Sequence, residues 1–162
     1  MDTPTPTTLT KSNTKKYIGP TKSGKKHGNG TLHFSNGDKY SGNFVNDYIR
    51  GYGEIDYRNG GNYKGIFRDN LKDGQGQMKY SNGSLYTGDF AADIKHGYGI
   101  LEDQSGDVYK GNWHHDQKSD FGELLMANGL VYKGFWKNDQ KNGSGTITYP
   151  KGHVYNGDFQ GD

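Results

Sequence analysis

The sequence predicts an all-β fold, an elongated antiparallel sheet of hairpins stacked along the chain. Three observations predict it. Tyr recurs at 17, 40, 63, 86, 109, 132 and 155, every 23 residues. A Gly follows each Tyr two places on, and a second glycine pair, such as Gly51/Gly53 or Gly97/Gly99, returns within each period. Around these markers apolar and polar residues alternate with period two, the mark of a half-buried strand. Self-similarity at a fixed period means a repeat architecture.

Each period supplies two strands. The first is Tyr-x-Gly-x-aromatic. In Tyr63-Lys64-Gly65-Ile66-Phe67 the Tyr, Gly and Phe share one face. Its aromatic column reads Phe44, Phe67, Phe90, Trp113, Trp136 and Phe159, with Thr21 in the first repeat. The second strand is typified by residues 51–57, where Gly51, Gly53, Ile55 and Tyr57 share a face. Its aliphatic column reads Leu32, Ile55, Met78, Leu101, Leu124 and Ile147. One apolar and one polar face suits an antiparallel sheet. The array covers residues 17–162, six full units plus a half unit from Tyr155. Thirteen strands at about 4.8 Å give a ribbon roughly 60 Å long. Residues 1–16, rich in Thr, Pro and Lys, read as a disordered tail.

Parity fixes the turn after the second strand. Opposed residues must point the same way, so the loop holds three residues, Arg58-Asn59-Gly60, and pairs 55 with 63, 53 with 65 and 51 with 67. Gly60 suits the left-handed last position. The pairing sets Gly51 opposite Phe67, and we expect each ring of that column to lie over such a glycine. Asp120 stands in this glycine column opposite Trp136. A carboxylate there costs free energy unless it stays wet or accepts the indole N–H, so a local distortion is expected.

Composition agrees with a thin sheet. Of 162 residues 27 are Gly and 13 Tyr, and only 29% are hydrophobic; mean hydropathy is −1.07. That is too polar for a thick core and too aromatic for a disordered chain. The absence of Cys excludes thiolate chemistry and disulfides. No apolar run reaches the length of a membrane span or signal core, so a cytoplasmic setting is expected. Residues 1–37 carry a net +5 and the remainder −3. Gly19-Pro-Thr-Lys-Ser-Gly-Lys-Lys-His27 has the G-x-x-x-x-G-K spacing of a phosphate loop, but Lys26 stands where Ser or Thr must hold magnesium, and no helix is predicted after it. No nucleotide and no cofactor are expected.

Tyr-x-Gly-x-Phe/Trp, then His/Asn-Gly-x-Gly-x-Leu, then Asn-Gly, on a 23-residue period, resembles the MORN (membrane occupation and recognition nexus) repeat over residues 17–162. The resemblance implies a curved sheet and a scaffold without catalysis of its own, of the kind found in membrane junctions, in cytoskeletal and ciliary assemblies, and beside lipid kinase domains. The opening repeat, from the Lys/Gly-rich turn through His27-Gly28 to Asn36-Gly37-Asp38, is similar to that of radial spoke head MORN proteins.

Two non-repeated features are candidate sites. Lys15, Lys16, Lys22, Lys25 and Lys26 form, with Lys11, a cluster without an acid. Such a cluster gains about 1 kcal/mol per Lys near anionic lipid, which makes phosphoinositide headgroups the alternative partner. Charge alone would also admit acidic tubulin tails and, less favoured, nucleic acid. On the polar face, Phe121 falls opposite Phe135 and Leu125 opposite Val131, an apolar patch of the kind that marks partner sites. His114-His115 lacks a second ligand pair at metal spacing, so no metal is expected. Thr3-Pro4 and Thr5-Pro6 are phosphorylation candidates. Val154 to Phe159 is an edge strand open to a second copy. The function expected is therefore a protein-interaction scaffold. A membrane-targeting module is the first alternative, and an accessory domain of a phosphatidylinositol phosphate kinase-like enzyme is the second.

Overall fold

The computed structural model describes residues 14–161. All its regular structure is strand: β1 Thr14–Ile18, β2 Thr21–Lys22, β3 Lys25–Lys26, β4 Gly28–Phe34, β5 Lys39–Val45, β6 Tyr48–Asp56, β7 Asn62–Arg68, β8 Leu71–Lys79, β9 Leu85–Ala91, β10 Ile94–Glu102, β11 Val108–His114, β12 Gln117–Leu125, β13 Val131–Lys137, β14 Gln140–Thr148 and β15 Val154–Gln160. Thirteen of them follow chain order in one antiparallel sheet, and β2–β3 form a separate two-stranded ribbon. Two compact units divide the chain. The first runs to Ser81 and includes Phe90–Asp93; the second comprises Asn82–Asp89 and Ile94 onward. Of the expected tail, Thr14–Lys16 belong to β1, where Lys16 and Tyr17 pair with His33 and Leu32 of β4. The rest of the tail, with Lys11 and the Thr-Pro pairs, lies outside the described residues.

Two kinds of turn alternate. The three-residue loop is present as predicted: Gly60 N–H donates to Tyr57 O at 3.0 Å, Tyr57 N–H to Gly61 O at 3.0 Å, and Ile55 pairs with Tyr63, Gly53 with Gly65 and Gly51 with Phe67. The second kind joins the end of one hairpin to the next through two residues, as Asn46-Asp47 does between β5 and β6. Both have positive φ, 49° and 75°, as a type I′ turn requires. The later turns 69–70, 92–93, 115–116 and 138–139 repeat these values closely. These turns lengthen β6, β8, β10, β12 and β14 to nine residues each, longer than the sequence pattern implies.

In the first unit the ring of Tyr40 is fully buried. It meets Phe44 of its own repeat and Phe67 of the next, edge to face, at 5.3 and 5.2 Å. Tyr63 does the same with Phe67 and Phe90. In the second unit Tyr109 sits between Trp113 and Trp136 at 5.1 and 5.4 Å. Each such pair adds about 0.5–1.5 kcal/mol beyond its area burial, so the ring ladder takes the place of a second layer. The phenol points across the sheet, and Tyr40 Oη donates to Asn43 O at 3.2 Å. Burial pushes the Tyr40, Tyr63 and Tyr109 phenols well above the ordinary tyrosine range.

The glycines divide into two sets, which corrects the expectation that the Phe column covers Gly51. A Cβ on Gly42 or Gly53 would collide with the Tyr40 ring and hydroxyl. The tyrosine, not the Phe, is the ring that covers glycine. A Cβ on Gly51 would meet nothing closer than Asn43 Nδ2 at 3.6 Å; Gly51 is needed instead for its φ of 80°. There β6 bulges against β5, between the Gly42–Gly53 and Phe44–Ile49 pairs. Asp120 adopts the same left-handed conformation, φ 51°, and still pairs with Trp136. The irregularity at Asp120 is the bulge against β11 that the other repeats share, with no further distortion of its pairing to β13. Asp tolerates this backbone region, and the Trp136 indole donates to Gly122 O at 3.4 Å rather than to the carboxylate.

Adjacent repeats are tied by a link between residues 21 apart. Lys72 N–H donates to Asp93 Oδ1 at 2.9 Å, and Asp93 N–H returns a bond to Lys72 O at 2.9 Å. The same reciprocal pair joins Lys26 to Asp47 and Ile49 to Asn70. In the second unit it joins Lys95 to Asp116 and Lys118 to Asp139. The lysine side chains run beneath the rings. Lys72 Nζ lies 5.7 Å from the Tyr63 and Phe90 centroids, and Lys95 Nζ 4.0 Å from that of Trp113. A desolvated cation over an aromatic face is worth up to about 2 kcal/mol.

Candidate interaction surface

On a strand whose ring-bearing side packs inward, the residue between paired glycines points outward. This outward row reads Tyr52 opposite Ile66 in the first unit, and Tyr98 opposite Asn112 and Phe121 opposite Phe135 in the second. Phe121 and Phe135 are 54% and 48% exposed, with ring centroids 5.7 Å apart and nearly perpendicular. Four places along the same strands, Leu125 pairs with Val131 on one side and Val108 on the other. Between the two apolar rows Lys133 Nζ meets Glu123 Oε2 at 3.4 Å. Of the four residues the sequence singled out, Phe121, Leu125 and Phe135 are exposed and Val131 is half-buried, with an ion pair across their middle. Sequence reasoning missed Tyr98, Tyr52 and Ile66. The signal was present, because Tyr52 and Tyr98 occupy, between two glycines, the repeat position that Phe121 holds between Asp120 and Gly122.

A cleft of about 550 Å³ adjoins this patch near the two-residue turns of the second unit. It is lined in part by His114, Ser119, Asp120, Phe135, Lys137 and Asn142. Phe135 is shared between cleft and patch. The Ser119 hydroxyl oxygen is buried without a hydrogen-bond partner.

The lysine cluster does not stay together as one group. Lys15 and Lys16 are exposed on β1, and Lys22 and Lys25 stand directly opposite each other on the β2–β3 ribbon, both exposed. Lys26 is different. Its ammonium lies 3.4 Å from Asp47 Oδ1 and 5.8 Å from the Tyr17 ring centre. It occupies the same column as Lys72, Lys95 and Lys118, and its charge is paired within the fold, unlike those of the four exposed lysines. Residues 19–27 form a ribbon closed at Ser23-Gly24, without the helix a phosphate loop requires.

His96, His114 and His115 come together, with ring centroids 5.5 and 4.1 Å apart. Among the described residues, no group of three His, Cys or acidic side chains is arranged to hold a metal ion. No helix among them is long and apolar enough to cross a membrane.

These features define a β-hairpin repeat protein whose distinctive surface is a sheet face. The sequence profile of the MORN repeat matches residues 22–39, 40–62, 63–85, 86–108, 109–131 and 132–154, and the chain belongs to the MORN repeat family. No curated protein matches it. Among solved structures it is similar to the TCP10 domain of Danio rerio CPAP, at 18% identity and TM-score 0.49, covering 83% of this chain and 64% of that one. It is also similar to the SAS-4 (dCPAP) TCP domain of Drosophila melanogaster in complex with a proline-rich motif of Ana2 (dSTIL), at 14% identity and TM-score 0.44, covering 82% and 85%. The chain thus spans less than two thirds of the first of these domains.

Proposed function

We propose that the chain is a non-enzymatic scaffold that binds a protein partner on the outward face of its second unit. The observation that carries this reading is the exposed Phe121/Phe135 pair, continued by Leu125, Val131 and Val108 and crossed by the Glu123–Lys133 ion pair. Isolated surface apolar residues need no explanation, but a contiguous exposed patch is the composition of an interface centre. Its setting would be a cytoskeletal, ciliary or membrane-junction assembly. The test is affinity capture from cells with wild type and with Phe121→Ser/Phe135→Ser, followed by reconstitution with the purified partner. Truncating a central aromatic pair should weaken that complex by at least about 30-fold. A partner held equally by both proteins would refute this surface.

A second reading rests on Lys22 and Lys25. Like charges directly opposite on a ribbon repel, and an anion beside them would relieve that repulsion. With Lys15 and Lys16 they would bring the first unit to a phosphoinositide-bearing membrane. Sedimentation with liposomes containing a few per cent phosphoinositide, at two salt concentrations, tests it. Replacing these four lysines by Gln should abolish any salt-sensitive binding.

A further inference from the structure

The patch is not uniformly apolar at its edge. Asp120 directly precedes Phe121 and lines the cleft that Phe135 shares. It is the one member of its column that is not glycine, the others being Gly28, Gly51, Gly74, Gly97 and Gly143. Among the described residues its carboxylate has no hydrogen-bond or ion-pair partner. Backbone geometry does not call for it, because the position needs a positive φ that glycine meets more cheaply. Beside it, the buried Ser119 hydroxyl also lacks a partner. A carboxylate, the Asn142 amide and the Phe135 ring therefore border one opening. Lys118 and Lys137 add positive charge to its wall.

We propose that this cleft takes the guanidinium of an arginine from the partner, with an adjacent apolar side chain of the same segment lying on Phe121 and Phe135. The inference rests on the scaffold reading above and names the partner's chemistry. A guanidinium is planar, so it can lie along the Phe135 ring while its fork donates to the Asp120 carboxylate. It carries five donors, enough to reach the Asn142 carbonyl as well. An ammonium is a compact charge that would satisfy Asp120 but neither stack nor span. Lys118 already covers the Trp136 ring, with its Nζ 4.9 Å from the centroid, so Phe135 is the ring left for the ligand. The positive charge of Lys137 disfavours a second cation next to the first, which makes the expected segment one arginine beside an apolar residue rather than a basic run.

The experiment selects a displayed library of random twelve-residue peptides on the folded protein. Individual peptides are then measured against wild type, Asp120→Gly and Phe121→Ser/Phe135→Ser. Asp120→Gly restores the residue of the other repeats, so it keeps the fold. The expected result is peptides with an arginine next to an apolar residue, weakened about tenfold or more by Asp120→Gly and by citrulline in place of the arginine, and lost on the double serine variant. Peptides lost on the serine variant but indifferent to Asp120→Gly and to citrulline would overturn the arginine inference and leave the docking face standing. Peptides indifferent to the serine variant, or no peptides at all, would overturn both.

Discussion

The link between repeats in the first unit at Ile49 and Asn70 is neutral, whereas in the second unit Lys95 and Asp116 make the same link with ionisable side chains. The backbone geometry hardly differs. Each accepts the N–H of the earlier residue at 2.9 Å and returns a bond at 3.0 and 3.2 Å respectively. Both earlier side chains are buried, Ile49 as an apolar filler and Lys95 as an ammonium 4.0 Å from the Trp113 ring centre. Where the chain has Lys it has Asp 21 residues on, at 26, 72, 95 and 118. Where it has Ile it has Asn. The constant part is the acceptor oxygen in the left-handed turn. The charge is optional, but it comes and goes as a pair, because a lone buried charge is costly.

The comparison can be broken first at what the two links share. Each sits beside a Tyr ring pressed on paired glycines. Gly53→Ala in the first unit would put a Cβ against the Tyr40 phenol, and Gly99→Ala in the second against that of Tyr86. Overpacking of this severity should cost about 3 kcal/mol or more in each case, measured by urea unfolding. A marked inequality would mean that the ring ladder, not the link, distinguishes the units. Next in size, Asp116→Ala leaves the Lys95 N–H unpaired and its ammonium without the nearby carboxylate, for about 3 kcal/mol. Asn70→Ala removes only a neutral acceptor, for about 1–2 kcal/mol.

Transplanting the neutral pair sharpens the point. Lys95→Ile and Asp116→Asn should each destabilise alone and together recover about 1–2 kcal/mol of the summed loss. Additive losses would show that the pairing of charges carries no energy.

Alkali offers a further separation. Burial, the largest influence, lowers the Lys95 pKa below its ordinary 10.5, against the opposing pull of Asp116. Between the lowered pKa and 10.5 the unfolded chain holds more protons than the folded one, so this group makes stability rise with pH in that window. The Lys95→Ile/Asp116→Asn protein should lack that rise. The buried phenols act oppositely. Their folded pKa values are raised, so their contribution is complete below about pH 10 and is lost as pH climbs through the folded values. Both proteins should therefore unfold steeply in stronger alkali. The smallest effect is expected from Asp120→Gly, a gain of about 1 kcal/mol from relieving a left-handed non-glycine residue. A loss there would show that Asp120 makes a contact in the folded chain.

The sequence carried the period, the three-residue turn and the register, because side-chain parity alone decides them. It also carried the Phe121/Phe135 patch, since the same parity places those rings outward. It did not carry the two-residue turns. Their left-handed residues include Ala92 and His115, which give no turn signal, and glycine is absent from them after Gly24. The Lys and Asp columns were visible at the 23-residue spacing, yet nothing in a one-dimensional pattern shows that Lys72 and Asp93 meet. Parity sets Gly51 opposite Phe67 and so suggests ring packing, while its backbone dihedral, which parity does not encode, is the actual reason for glycine.

The link between repeats also bears on how such an array can grow or shrink during evolution. The two halves of each link lie in different repeats, so a repeat behaves like a domino with a value at either end. Residues 40–62 carry Asp47 and Ile49, residues 63–85 carry Asn70 and Lys72, and the next three repeats each carry Asp and Lys. Excising residues 109–131 would bring Lys95 to Asp139, a match. Excising 63–85 would bring Ile49 to Asp93 and bury an uncompensated carboxylate. Gene duplication and loss are thus free to act among the later repeats and constrained at the second and third, where two adjacent repeats must be inherited together.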